Sequence, residues 1–486
     1  MLLVVSLDSE NADWLQAHMA SGTLPNLASL ARSGTILPVD AAALAGLAYP
    51  TLYGGIGPAQ HGQYFPLQWN PREQRIVVAS FFPYPETILT RMDRAGKRVV
   101  VLDPPELEPL ALRHGYAVSG LQFRARVLLH DWSSDAPRTA RLLRPIGPSP
   151  RADEVFGAII PSDMRHLRQA LLQAPARLQS AALAALQDPP DCLWLNCCAL
   201  HLAGHQFYEL PSIGDRTLRA ELEGTRLDLA RGYDRMLGEV LAVLPAGAAI
   251  LIAYAKGMGK VPHWADLLPQ MLRRVLGEQE ARPPVNFLRV ALPRPLRRWL
   301  ADRLSDDAAL RMMAKLSTPR LDWQRTRAFC LPTDYPGFIQ FNVHGRERDG
   351  LVKPSELPEL EQQIRDGLAT FTDEQGQPCV DRIFRPEEMF GTGPRLGQLP
   401  DLIVRWRRDS PAPSSGVRSP RFGSIQRTVE TVGRSGNHIP GAFSILAGNR
   451  RPAPPDGVMR MEDISATILH GVGMAVPELP GRPFWQ

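Results

Sequence analysis

The chain has 486 residues, enough for one large core or two smaller ones, and its 55 Lys and Arg against 50 Asp and Glu leave a net charge of only +5. That charge is too dilute for a nucleic-acid partner, and clusters such as Arg297 to Arg303 alternate with leucines as a solvated helix face does. The five cysteines are odd in number and unpatterned, no segment is apolar enough to span a bilayer, and the amino terminus has no basic leader, so a reduced cytoplasmic protein is expected.

In chain order, LLVVSLD at Leu2 predicts a buried strand, and Leu15, Met19, Leu27 and Leu30 then fall at helical spacing around Pro25. RVVVLDP at Arg98 predicts the next strand after a helix over 85–95, and CLWLNCCAL at Cys192 another after a helix over 164–186. A long amphipathic helix over 216–244 leads into the strand AILIAY at Ala249. DLIVRW at Asp401 and AFSILAG at Ala442 read as later core strands, and DISATILHGVG at Asp463 as a closing helix capped by Asp463 and ended by glycine. Strands separated by helices predict an α/β fold, a doubly wound, mostly parallel sheet with helices on both faces.

Two stretches interrupt that rhythm. Residues 264–320 read as a helical insertion capping the cleft, and 321–399, with FIQFNVHGRERDGLV at Phe338 and a helix over 356–368, as a small α+β subdomain. The core is then expected in two pieces, 1–263 and 400–486. Residues 410–424, SPAPSSGVRSPRFGS, read as a surface loop.

Several segments in order carry a family likeness: VVSLDSENADW at Val4, YPTLYGGIGPAQHG at Tyr49, GHQFYE at Gly204, ILIAYAKGMG at Ile250 and SGNHIPGAFSILAG at Ser435. Together they resemble the alkaline phosphatase superfamily, in its type I phosphodiesterase/nucleotide pyrophosphatase branch. The resemblance implies two-metal phosphoryl transfer, with a threonine or serine nucleophile beside two cations, usually zinc. It places Asp8 at the first-strand metal aspartate, the nucleophile at Ala45 and an Asp-His metal pair at Ala255 and Lys256. Alanine has no donor and lysine is itself a cation, so that half of the centre is lost. Thr51 and Tyr53 lie near the nucleophile but out of register, and with His263 they are expected to face substrate.

The other half keeps donors. His205 and His438 stand where the family has histidines, and His201 where it has aspartate. A four-residue spacing puts His201 and His205 on one side of a helix, where they can converge with His438 on a single divalent transition metal, zinc foremost, with iron or manganese as alternatives. Lys256 is expected to neutralise Asp8, either as a substitute charge that holds an anion or exchanges a proton, or as a structural ion pair. His61 reads as a hydrogen-bonding histidine of its turn, and Cys197 and Cys198 as small core residues. The reading is a single-metal hydrolase or lyase acting on a small anionic or phosphorylated molecule. The alternatives are a noncatalytic binding module and a phosphodiesterase with relocated ligands.

Overall fold

Leu2, Leu3, Val4 and Val5 are all excluded from solvent, and burial of such side chains, worth about 2 kcal/mol each, makes the first strand the axis of the larger of two compact units. The structure, a computed structural model, describes the chain except residues 41–47, 80–85, 126–127, 130, 155–159, 211–212, 255, 261–263, 279–302, 334–335, 408–414, 428–433, 450–456, 476 and 486. Ala45, Ala255 and His263 lie outside the described residues, as does much of the expected helical insertion.

The larger unit comprises residues 1–57, 84–260 and 430–486. Its strands are β1 (Leu2–Leu7), β2 (Thr35–Asp40), β3 (Val99–Leu102), β4 (Tyr116–Ser119), β5 (Trp132–Ser133), β6 (Cys192–Cys197), β7 (Ala249–Ala253), β8 (Gly257–Lys260), β9 (Gly436–Ile439), β10 (Ala442–Gly448) and β11 (Met459–Arg460). Nine form one sheet in the order β11, β2, β10, β7, β1, β6, β3, β4, β5, while β8 and β9 form a separate antiparallel ladder. Strand β10 runs antiparallel to both neighbours, and β5 to β4; the remaining pairs are parallel. The expected doubly wound, mostly parallel sheet with helices on both faces is present.

Register decides what this sheet presents. Leu7 pairs with Cys197 and Ser6 with Ala253, so β6, β1 and β7 end level, and the residues following them share one edge of the sheet. Three helices matter below: α1 (Ala48–Gly54), α2 (Ala199–Phe207) directly after β6, and α3 (Thr225–Ala242). The helix expected over 216–244 is in fact two, because Gly224 takes a left-handed φ of 80° between Arg216–Leu222 and α3. No helix among the described residues is long and apolar enough to cross a membrane.

The smaller unit, residues 58–83 and 261–429, has its own antiparallel sheet in the order Ala328–Leu331, Gly337–Phe341, Leu402–Trp406, Val380–Phe384. Helices Leu268–Leu276 and Leu357–Ala369 contribute Met271, Leu360 and Ile364 to its apolar core. The strand expected from DLIVRW among the core strands pairs here instead. Its alternation between buried faces suits either sheet, and only pairing distinguishes them. The stretch read as a surface loop over 410–424 includes, in its described part, a hairpin of Gly416–Ser419 with Gly423–Gln426, whose Val417 and Ile425 are buried.

Candidate metal centre

Three imidazoles meet at the carboxyl edge of the large sheet. Helix α2 presents His201 and His205 one turn apart, and β9 brings His438 to them because His438 pairs with Met258 of β8. The ring centroids stand 4.7, 4.9 and 4.6 Å apart, and one donor atom from each residue lies within 4.8 Å of the others. All three are buried, at 6%, 0% and 5% exposure. The approach is close enough to require glycine: a Cβ on Gly436 would fall 2.1 Å from the Gly204 carbonyl oxygen.

Outer partners orient two of the rings. His205 Nδ1 lies 2.9 Å from the Gly436 carbonyl, which can only accept, so this nitrogen carries the proton and Nε2 presents a lone pair. Burial first, then the charge of Arg434, pushes the His205 pKa well below the usual imidazole range and keeps the ring neutral. His201 Nδ1 stands 3.0 Å from Asp8 Oδ2, so its Nε2 also faces inward, 3.2 Å from that of His205. His438 is likewise held neutral, by burial and then by Lys256, and its Nδ1 has no hydrogen-bond partner among the described residues. Rings backed by a carboxylate and a carbonyl, with His205 and His438 held neutral, suit the donors of a transition-metal site.

Beside this cluster lies a second group of buried side chains, of opposite character. Asp8 follows β1 and accepts from Ser9 Oγ at 2.6 Å, while Lys256 Nζ stands 3.8 Å from its Oδ1. Burial would raise the Asp8 pKa, but Lys256 and His201, with the hydrogen bonds from His201 and Ser9, hold it below the usual carboxylate range. Lys256 also lies over the Tyr49 ring, 4.5 Å from its centroid. Burial, and next the charge of Asp8, pushes the Tyr49 hydroxyl pKa well up. Ser9 adopts a left-handed φ of 60°, unusual for a side-chain-bearing residue and here found next to charged groups.

Thr51 and Tyr53 are placed on α1, both buried. The Tyr53 hydroxyl donates to the Pro105 carbonyl at 3.2 Å, and its ring packs on Trp194. Tyr49, one helical turn earlier, is the aromatic that meets Lys256; the spacing within YPTLY was the available signal. Arg434 and Glu154 were also missed. One Arg434 guanidinium nitrogen donates to His205 Nε2 at 2.8 Å and lies 3.3 Å from Glu154 Oε1. Arg434 stands four residues before His438, but nothing in the sequence marks Glu154.

Neither a protein-family model nor a curated protein sequence matches the chain. Among solved structures, phosphonoacetate hydrolase from Sinorhizobium meliloti in complex with phosphonoacetate is similar over 97% of this chain and 95% of that one, at 16% identity and a TM-score of 0.56. The chain has the alkaline phosphatase fold. The phosphonoformate complex of the same hydrolase gives 15% identity and a TM-score of 0.55 at the same coverage. Human ectonucleotide pyrophosphatase/phosphodiesterase 5 gives 11% identity and a TM-score of 0.47 over 99% of this chain and 96% of that one. In open α/β sheets ligands bind outside the carboxyl ends of the strands, and the histidine cluster lies at that edge here.

Proposed function

We propose that this chain holds one divalent transition metal, zinc foremost, on His201, His205 and His438, and acts as a hydrolase or lyase on a small anionic or phosphorylated molecule. The observation that carries the reading is the convergence of three buried imidazoles, with one ring nitrogen of each within 4.8 Å of the others and the His201 and His205 Nε2 atoms 3.2 Å apart. The His205 Nε2 lone pair faces its neighbour's nitrogen across a gap that a proton or a cation can fill. Three imidazoles are a donor set suited to zinc, with iron or manganese also accommodated.

A metal bound there supplies Lewis-acid polarisation of a carbonyl or phosphoryl oxygen. The chain's own groups do the rest. Asp8 orients His201, and the Gly436 carbonyl orients His205. Lys256 brings a buried ammonium to the same edge and can neutralise an incoming anion or exchange a proton with Asp8. Alanine at position 45 offers no oxygen, so water is the nucleophile in this reading. The S. meliloti enzyme was solved with phosphonoacetate and phosphonoformate, which makes small phosphonates and phosphate esters the first substrates to offer.

Elemental analysis of the purified chain tests the proposal. About one equivalent of transition metal is expected, removed by His205→Ala, together with metal-dependent turnover of a compound in the phosphonate and phosphate-ester panel. A chain that is metal-free and indifferent to chelator overturns it. The second reading, a noncatalytic module that binds an anion in the same pocket, is favoured by the Arg434 hydrogen bond to His205, which satisfies that lone pair without any metal.

A further inference from the structure

One nitrogen of Arg434 sits where two lone-pair donors approach each other. It is 2.8 Å from His205 Nε2 and 3.3 Å from Glu154 Oε1, and those two atoms are themselves 3.8 Å apart. His205 Nε2 and His201 Nε2 are separated by 3.2 Å. Donors about 2.1 Å from one ion at tetrahedral angles stand about 3.4 Å from each other. The His201–His205 spacing thus suits an ion, and the guanidinium occupies the same His205 Nε2 lone pair that the ion would use. All three side chains are withdrawn from water, with Arg434 at 12% exposure, Glu154 at 15% and His205 at 0%. A desolvated, charge-assisted hydrogen bond to a neutral acceptor is among the stronger polar contacts a chain can make.

We infer that Arg434 is a resident cation that competes with the metal for His205: in the metal-free chain it donates to His205 Nε2, and metal entry withdraws it onto Glu154. This inference rests on the three-histidine reading. Glu154 is then a positioning residue, giving the displaced guanidinium a place to stay inside a pocket that also contains Lys256. The exchange replaces one cation by another at the same nitrogen. Nothing else at His205 has to change, since its Nδ1–H stays on the Gly436 carbonyl.

The test is a titration of metal-stripped protein with Zn2+ against a chromogenic chelator, followed separately by thermal unfolding with and without Zn2+. Arg434→Gln is expected to tighten Zn2+ binding by about tenfold or more, the size of one charge-assisted hydrogen bond. Arg434→Lys, which keeps the charge but loses the planar fork, falls between the two and remains informative should the glutamine variant unfold. Glu154→Gln weakens binding in the wild-type background and has no further effect on top of Arg434→Gln, because it acts only through the arginine. Unchanged or weaker binding in Arg434→Gln overturns the inference while leaving a metal-binding wild type intact. Zinc binding by Arg434→Gln but not by wild type upholds the competition and sinks the resident-metal reading. Binding by neither sinks both, and a further loss from Glu154→Gln in the Arg434→Gln background makes Glu154 a ligand and overturns its positioning role.

Discussion

The histidine cluster and the Asp8–Lys256–Tyr49 group occupy the same edge of one sheet, yet they solve opposite electrostatic problems. In the first, three imidazoles converge and positive charge is brought to His205 from outside the trio, by Arg434 in the structure or by an ion in the proposal. In the second, a buried carboxylate meets a buried ammonium 3.8 Å away, and the charge is already balanced by the chain itself. One group therefore carries its cation covalently, as Lys256. The other, in the proposed reading, exchanges the Arg434 guanidinium for an ion. The Asp8–Lys256 pair should be insensitive to chelators, and the histidine cluster should respond to them.

The largest break in that contrast comes from Lys256→Met. Removing the ammonium strands Asp8 against His201 and Ser9, and the loss of one partner from a buried pair is expected to cost about 3 kcal/mol in urea unfolding. Asp8→Asn made together with Lys256→Met should recover most of it. Zinc stoichiometry should not change in Lys256→Met, and a loss of metal there would merge the two groups into one. A somewhat smaller effect belongs to the histidines: Zn2+ at about a hundredfold over its dissociation constant should stabilise the wild type by about 2.7 kcal/mol. Chelator should reverse this. His438→Ala should abolish the zinc-induced gain while leaving any effect of Lys256→Met on the metal-free chain unaltered.

The sequence made some of this legible and hid the rest for physical reasons. Strand ends are readable because buried parallel strands are continuous apolar runs, so Asp8 and Lys256 could be placed at one edge before any coordinates. His201 and His205 were readable as a pair from helical spacing. That His438 joins them was suggested by family likeness alone; the β8–β9 ladder that brings it there is a long-range pairing that no local pattern marks. Arg434 and Glu154 are separated by most of the chain, and neither lies at a periodic position, so no one-dimensional rule joins them. Leu402–Trp406 went to the wrong sheet because a fully buried strand carries no label for its neighbours. Tyr49 was passed over because Thr51 and Tyr53 were weighed for nucleophile register, whereas what matters at Lys256 is an aromatic face.

A finer probe asks how closely the histidine cluster depends on backbone approach. Gly436→Ala places a methyl group 2.1 Å from the Gly204 carbonyl oxygen, which is backbone and cannot rotate away. Helix α2 and β9 must separate, at a cost of about 2 kcal/mol. If convergence of the rings is what binds metal, zinc affinity falls with stability in this variant. Affinity that survives unchanged would show that the rings reach the ion without the close backbone contact.

His61 supplies the smallest effect and the control for burial as such. It is as buried as His205, but it belongs to no group of three potential metal donors among the described residues, and its Nδ1 accepts from the Gln63 backbone N–H at 3.0 Å. Burial, with the neighbouring Arg395 charge, lowers its pKa from 6.5 to about 3. The folded chain thus refuses a proton that the unfolded chain accepts below pH 6.5. Stability associated with His61 is complete above that pH and falls by about 1.4 kcal/mol for each unit of acidification until the folded pKa is reached. His61→Asn keeps an acceptor for Gln63 and cannot titrate, so urea unfolding at pH 5.5 and 7.5 should show a smaller acid loss in the variant by about 1.4 kcal/mol. Added zinc should leave that difference untouched, because a buried imidazole without convergent neighbours has nothing to offer an ion. A zinc-dependent change at His61 would mean that burial alone, rather than the meeting of three rings, accounts for the behaviour of the cluster.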